Sequence, residues 1–300
     1  MILDAALVGP TASGKSEVAH RVARERGDVE IVSLDSMSVY RGMDVATAKP
    51  SLAERSEVPY HLVDVVAASE EFSVADALRR VRAIRSERPT TTLLGVGGTG
   101  LYARAIIDDF DIPGTYPEVR AALEADDDLT SLYDELRQRD PLAASRMEPT
   151  NARRVRRALE VCRATGRPFS SFGPGLVEYP ASPVVQVGLV LETSELDRRI
   201  EERLRGFLEM GLLEEITRLL DEGVSRVALQ AVGYKEFLPT LSGERTTEES
   251  LAEAVLNTRR LARRQWRWFR RDPRVTWYSR GVDAYDHLAR VGLARANVGD

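Results

Sequence analysis

The chain has 300 residues, 43 % of them hydrophobic, a formal net charge of −5 and one cysteine, Cys162. That is enough apolar material for a real core in about two domains. It excludes an internal disulfide framework, and no run approaches the ~20 consecutive apolar residues of a membrane span. His20, His61 and His287 lie far apart in sequence, which leaves a zinc site of Cys/His spacing unsupported. The first residues run straight into an apolar stretch, so no signal peptide is expected and the expected location is the cytoplasm.

Residues 2–8 read as a first strand. Gly9-Pro10-Thr11-Ala12-Ser13-Gly14-Lys15-Ser16 follows, the pattern G-x-x-x-x-G-K-S/T, and leads into a helix that runs to about Arg26 and stops at Gly27. Residues 30–34 form a second strand ending at Asp35, and residues 35–44 read as a polar loop. Residues 60–66 read as a short strand. Ser73 suits the N-cap of a helix over 74–87, with Asp76 at its third position. Residues 90–96 read as a buried strand, and Gly97-Gly98-Thr99-Gly100 turns into a helix over 101–107. Strand alternating with helix predicts an α/β fold, a parallel sheet with helices on both faces. In such sheets the ligand sits beyond the carboxyl ends of the strands. The loop at 9–16, Asp35 and Thr99 all follow strand ends and should converge.

From about residue 111 the composition changes. Helical patterns at 118–125, 130–138 and 152–164 come without a strand candidate, bounded by Pro113, Gly114 and Pro117 and by Pro168, Gly173, Pro174, Gly175 and Pro180. This predicts an all-helical insertion, 111–180, in a core made of 1–110 and 181–300. Residues 184–191 return as a strand. A helix from about Leu196 carries Ile200, Leu204, Leu208, Ile216, Leu219 and Leu220; Gly211 can break it and Gly223 suits its end. A short helix is expected over 230–241, a long arginine-rich one over 251–271, and a last strand over 275–278. Nothing distinctive is expected after Arg280.

Three features carry chemistry. In the loop at 9–16 successive N–H groups point at an anion, Lys15 adds a full charge, and Ser16 offers a hydroxyl to Mg²⁺. Alone, the loop suits any phosphate compound, a nucleotide such as ATP included. Asp35 stands where a carboxylate can take a proton from an acceptor hydroxyl or amine; the alternative is an Asx turn onto Ser36 or Met37. Finally, residues 149–172 hold six arginines and one acid, and residues 256–275 hold eight and one. Concentrated basic patches steer polyanions, and arginines interleaved with Trp266, Trp268 and Phe269 suit RNA bases. The alternative is a core-facing aromatic stripe with snorkelling arginines. Cys162, His61 and His20 read as structural.

The ordered set Gly-Pro-Thr-Ala-Ser-Gly-Lys-Ser at 9–16, Asp-Ser-Met-x-Val-Tyr-Arg-Gly-Met-Asp at 35–44, Thr-Ala-Lys-Pro at 47–50 and Gly-Gly-Thr-Gly-Leu-Tyr at 97–102 resembles the tRNA dimethylallyltransferases, also called tRNA isopentenyltransferases. Arg-Ala-Leu-Glu-Val at 157–161, Val-Gly-Tyr-Lys-Glu at 232–236 and Arg-Arg-Gln-x-x-Trp-Phe at 263–269 extend the match to nearly the whole chain. The resemblance implies a P-loop kinase-like core with a helical insertion gripping the anticodon stem-loop. It implies transfer of a dimethylallyl group from dimethylallyl diphosphate to N6 of the adenosine next to the tRNA anticodon, with Mg²⁺. A monomer is expected. By similarity Asp35 is the general base, with Lys15 and Thr99 also catalytic. Gly9, Pro10, Thr11, Ala12, Ser13, Gly14, Lys15 and Ser16 hold the diphosphate, with Arg199 and Arg203 near it. The tRNA-contacting positions are Asp35, Ser36, Met37, Ser38, Thr99, Arg120, Arg153, Arg154, Val155, Arg156, Arg157, Gln230, Lys235, Arg263, Arg264, Gln265, Trp268 and Arg270. Ser38 and Arg153 stand where the family usually has Gln, and the zinc finger of some eukaryotic relatives is absent. Two rival readings remain: a small-molecule kinase, which gives no reason for the arginine clusters, and a non-catalytic RNA-binding P-loop protein, which gives none for Asp35.

Overall fold

The computed structural model describes residues 1–173, 175–176 and 178–291. The chain divides into two compact units, residues 1–109 with the described residues from 181 onward, and residues 110–180. In chain order the first unit opens with β1 (Ala5–Val8), α1 (Lys15–Arg26), β2 (Val29–Ser33), α2 (Leu52–Glu57), β3 (Tyr60–His61), α3 (Val74–Glu87), β4 (Thr92–Gly97) and α4 (Gly100–Ile107). The second unit holds α5 (Pro117–Glu124), α6 (Leu129–Arg139), α7 (Pro141–Ser145) and α8 (Ala152–Thr165). The first unit resumes with β5 (Val185–Leu189), α9 (Thr193–Glu209), α10 (Leu212–Glu222), α11 (Arg226–Leu229), α12 (Leu238–Leu241), α13 (Thr247–Phe269), β6 (Val275–Tyr278) and α14 (Gly281–Leu288).

The six strands pair in the order β3-β2-β4-β1-β5-β6, every pairing parallel. β1 is central, with Leu7 opposite Val96 on β4 and Val187 on β5. Ala5, Leu7, Ile31, Leu94, Val96, Val187 and Leu189 form one core with Val18, Ala19, Val22 and Ala23 of α1 and Ala284 and Leu288 of α14. The alternate residues Ala6, Val8, Val32 and Leu93 are buried as well, so both faces of the sheet are covered. That is why these strands read as unbroken apolar runs. Among the described residues no helix is long and apolar enough to cross a membrane.

The second unit has its own core of Leu123, Leu132, Leu136, Ala144, Val155, Ala158, Leu159 and Cys162. Glu160 is buried beneath its surface. It accepts the Tyr116 N–H at 2.7 Å and pairs with Arg157 at 2.9 Å and Arg120 at 3.3 Å. Burial opposes ionisation of Glu160; the Tyr116 N–H and the two guanidinium groups prevail and hold it below the usual carboxylate range.

Four expectations need correction. The strand over 60–66 is only Tyr60–His61, because Leu62 and Asp64 take positive φ (59° and 55°) and Val66 forms an isolated bridge to Tyr40. Residues 230–241 are not one helix. Gly233 turns the chain at φ 96°, a short 3₁₀ turn follows at Lys235–Phe237, and only Leu238–Leu241 is α-helical. The stretch after Arg280 carries a core helix, α14; positions 292–300 lie outside the described residues. The arginine-rich helix starts at Thr247 rather than 251, because Thr246 and Glu249 form a capping box. The helix from Leu196 breaks where Gly211 (φ 87°) N-caps α10. Cys162 is buried and unpaired, His61 bonds Glu30 at 2.6 Å, and His20 bonds Tyr60 at 2.9 Å.

Candidate active site

The loop between β1 and α1 has the wrapped shape its sequence demands. Gly14 is left-handed at φ 92°, Ala12 is at φ 62°, and Lys15 opens α1, so the helix N-terminus faces the loop's interior. Ser16 is exposed beside it. Lys15 is buried, with Nζ donating to the Pro10 carbonyl and to Ser13 Oγ at 3.3 Å. Burial first, then the neighbouring Arg203 guanidinium, pushes its ammonium down to about 7, against the pull of Asp35. Arg203 is itself pushed down by burial, with Asp35 pulling the other way, and Nη1 reaches Thr11 Oγ1 at 3.5 Å. Lys15, Arg203 and Asp35 thus act on one another electrostatically. Arg199, paired with Glu195 at 2.7 Å, lines the same cavity.

That cavity measures about 430 Å³ and is lined by the loop, Asp35, Gly97, Gly98 and Gln265, with Ile31, Val63, Val96 and Tyr60 supplying apolar surface. A second cavity, about 250 Å³, adds Met37, Thr99, Phe207, Gln230 and Leu261. Thr11, Ala12, Asp35, Thr47, Arg203 and Gln265 line both, so the two cavities meet at these residues. Asp35 sits in an Asx turn, its Oδ1 accepting the Met37 N–H at 2.7 Å. Asp35 lines both cavities from this turn. Thr99 N-caps α4, and its hydroxyl accepts the Ser36 N–H at 3.3 Å. Loop, Asp35 and Thr99 therefore do converge.

Gly98 and Gly100 make room for α13, and Gly97 for Leu34. A Cβ on Gly98 would stand 2.5 Å from Gln265 Nε2, and one on Gly100 would stand 2.5 Å from the Trp268 ring. The close approach lets Gln265 Oε1 accept the Thr11 N–H at 2.7 Å, fixing the phosphate loop from the far end of the chain.

Several of the positions expected to contact RNA are buried or bonded within the protein. Val155 is 0 % exposed in the second unit's core and cannot present its side chain to RNA. Ser38 is buried, bonded to Ser33 at 2.7 Å and to the Leu62 carbonyl at 3.2 Å. The Trp268 ring packs on Gly100, Trp266 meets Trp277 edge-on at 4.7 Å, and Phe269 is buried, so this aromatic stripe is engaged within the protein. Arg156 donates to the Asp126 carbonyl at 2.9 Å, while Arg120 and Arg157 are held by Glu160. Lys235 lies 3.8 Å from Glu236, and Arg263 lies 3.5 Å from Asp197. Arg153, Arg154, Arg264 and Arg270 are exposed and have no ion-pair partner among the described residues. Gln230 is exposed at the second cavity.

Among the described residues no three His, Cys, Asp or Glu side chains stand together as a metal cage. The oxygen donors lining the cavity include the Thr11, Ser13 and Ser16 hydroxyls and the Glu17, Asp35 and Glu54 carboxylates, with no Cys or His among the lining residues. An all-oxygen lining fits Mg²⁺, which keeps several waters and shares phosphate oxygens, better than zinc.

Fold and loop together define an α/β protein of the P-loop class, with the Asp35 carboxylate lining the same cavity as the loop. A family model described as IPP transferase matches residues 38–272. The chain is 41 % identical to the tRNA dimethylallyltransferase of Bifidobacterium longum, over 98 % of its own length and 92 % of that protein's. It is 43 % identical to that of Streptomyces coelicolor, over 96 % and 94 %. Among solved structures, the tRNA isopentenylpyrophosphate transferase of Bacillus halodurans superposes with a TM-score of 0.66 at 37 % identity, covering 95 % of each chain. A eukaryotic dimethylallyltransferase captured acting on tRNA superposes with a TM-score of 0.76 at 25 % identity, covering 97 % of this chain and 76 % of that one. The chain belongs to the IPP transferase family.

Proposed function

We propose that this protein is a prenyltransferase that moves a dimethylallyl group from dimethylallyl diphosphate to N6 of the adenosine next to the tRNA anticodon, giving N6-isopentenyladenosine. The observation that carries the reading is the meeting of two cavities at Thr11, Asp35 and Arg203, one walled by the phosphate loop and one by Thr99 and Gln230. In the reaction the bond from C1 of the donor to its diphosphate oxygen breaks. A bond from C1 to the adenine amine forms, and the amine proton passes to Asp35. An adenine amine is a weak nucleophile, so a positioned carboxylate assists it. The departing diphosphate meets the loop N–H groups, Lys15 and Arg203, which stabilise the developing charge. Ser16 would help hold Mg²⁺, which would add charge neutralisation at the departing diphosphate.

The base has to leave the anticodon-loop stack to reach Asp35. The exposed arginines Arg153, Arg154, Arg264 and Arg270 hold phosphates while it does so. One chain holds every residue of the phosphate site, so we take the working unit to be the monomer. A lone, buried, unpaired Cys162 suits a reducing cytoplasm.

Incubation with tRNA and radiolabelled dimethylallyl diphosphate tests the reading. Label in tRNA is expected. No label, together with phosphoryl transfer from ATP to a small metabolite, would make the protein a kinase instead.

A further inference from the structure

Glu215 lies on the apolar face of α10, with Leu212, Ile216 and Leu219, and is buried there. A carboxylate persists in such a place only when its lone pairs are taken. Here three donors converge from two separate segments: the Asp44 N–H at 2.9 Å, the Val45 N–H at 3.1 Å and the Tyr234 hydroxyl at 2.7 Å. Three residues along α10, Arg218 donates to the Gly42 carbonyl at 2.8 Å. One helix therefore grips the stretch 42–45 at two points. From the other direction Lys49 pairs with Asp44 at 2.8 Å and with Asp64 at 2.5 Å. Gly233 closes the arrangement, since a Cβ there would stand 3.0 Å from that of Ala46.

The stretch so held leads straight into the site. Thr47 lines both cavities and Ala46 lines the second. Resting on the prenyl-transfer reading, we propose that Glu215 is a positioning residue for the reaction. Through the Asp44 and Val45 backbone it fixes Ala46 and Thr47 in the wall where acceptor and donor meet. It touches neither substrate and takes no proton from them; its effect is on the alignment of the two reacting atoms.

The test uses the full chain with Glu215→Gln and Glu215→Asp. Gln keeps the shape but replaces one acceptor oxygen with an NH₂ group; Asp keeps the charge but withdraws it by one methylene. Both are expected to lower kcat about 10–100-fold at saturating substrates, the loss that a misplacement of roughly 1 Å produces. KM for the diphosphate should stay within about twofold, as for an interaction felt only in the transition state. Amide exchange at Asp44 and Val45 should accelerate in both variants, while that of α1 does not. Tyr234→Phe, which removes one donor of three, should give a smaller loss of kcat. Wild-type kcat in both Glu215 variants, measured where all proteins are folded, overturns the proposal. So does a loss confined to KM, or one that disappears on cooling in step with the melting curve. A wild-type protein that transfers nothing overturns the activity reading itself, which an active wild type with normal Glu215 variants does not.

Discussion

Gln265 and Thr11, 254 residues apart in sequence, meet through a single hydrogen bond from the Thr11 N–H to Gln265 Oε1. It ties the phosphate loop to α13. Gln265→Ala leaves that N–H without a partner at a cost of about 1–2 kcal/mol. We expect the diphosphate donor's KM to rise about tenfold, the equivalent of ~1.4 kcal/mol. Gln265→Glu restores an acceptor but sets a negative charge beside the diphosphate, so its loss should exceed that of Ala. Steady-state kinetics on the three proteins would decide; a Glu variant as active as wild type would remove Gln265 from the site.

The depressed Lys15 has a pH signature. Its folded value, about 7, lies below its ordinary 10.5, so between these limits the unfolded chain binds the extra proton. Stability therefore rises with pH across that window, and the penalty is complete below about pH 7. We expect unliganded Lys15→Met to gain a few kcal/mol (roughly 2–4) at pH 6, shrinking toward pH 10, and to lose transfer. Diphosphate binding near pH 8 should take up a proton at Lys15. Calorimetry in buffers of different ionisation heat reads this uptake, with Lys15→Arg as the reference. A Met variant with the same pH–stability profile as wild type would contradict the assignment.

Asp35→Asn separates the two uses of this side chain. The amide oxygen can still accept the Met37 N–H, so the Asx turn survives. What disappears is the proton acceptor, and kcat should fall by ~10²–10⁴-fold with tRNA affinity unchanged. Asp35→Ala should add a loss of stability of about 1 kcal/mol from the broken turn. Single-turnover transfer, filter binding and thermal melts distinguish these effects; an Asn variant that transfers as fast as wild type would remove Asp35 as the proton acceptor.

The arginines of α8 should divide by their partners. Arg154 is exposed, so Arg154→Ala should weaken tRNA binding and reduce the slope of log affinity against log salt by about 1, with an unchanged melting temperature. Arg264→Ala should act the same way. Arg157 instead neutralises buried Glu160. Arg157→Ala should destabilise the protein by about 1–2 kcal/mol, less than a fully buried pair because Arg120 and the Tyr116 N–H remain. An unaltered salt slope in Arg154→Ala would take that residue out of the phosphate contacts.

Local features were legible in the sequence because their causes are local. Ser73 and Asp76 cap α3 three residues apart, and Gly27 ends α1 in a left-handed turn. The same signature at Ser51 and Glu54 announces α2, yet that helix buries none of its residues, so no apolar period accompanies it. What sequence hides is long-range. β3 ends where Leu62 and Asp64 take positive φ, and Asp64 is paired there with Lys49 and Arg55. The alternation of arginine and aromatic residues in α13 reads as an RNA surface until Gly98 and Gly100 are seen to receive Gln265 and Trp268. Glu215 did leave a trace: an acid at a core position of an amphipathic helix, flanked by Leu212, Ile216 and Leu219.

The packing of α14 against α1 sets an order of events during synthesis. The phosphate loop is complete once residue 16 is made, but β1 gains its β5 neighbour only near residue 189, and α1 gains Ala284 and Leu288 only at the far end of the chain. A nascent chain therefore carries the loop for most of its translation without the packing that holds it. Such distant pairings slow folding and leave apolar faces open meanwhile. An emerging fragment therefore carries α1 well before α14, which completes its core, has been made.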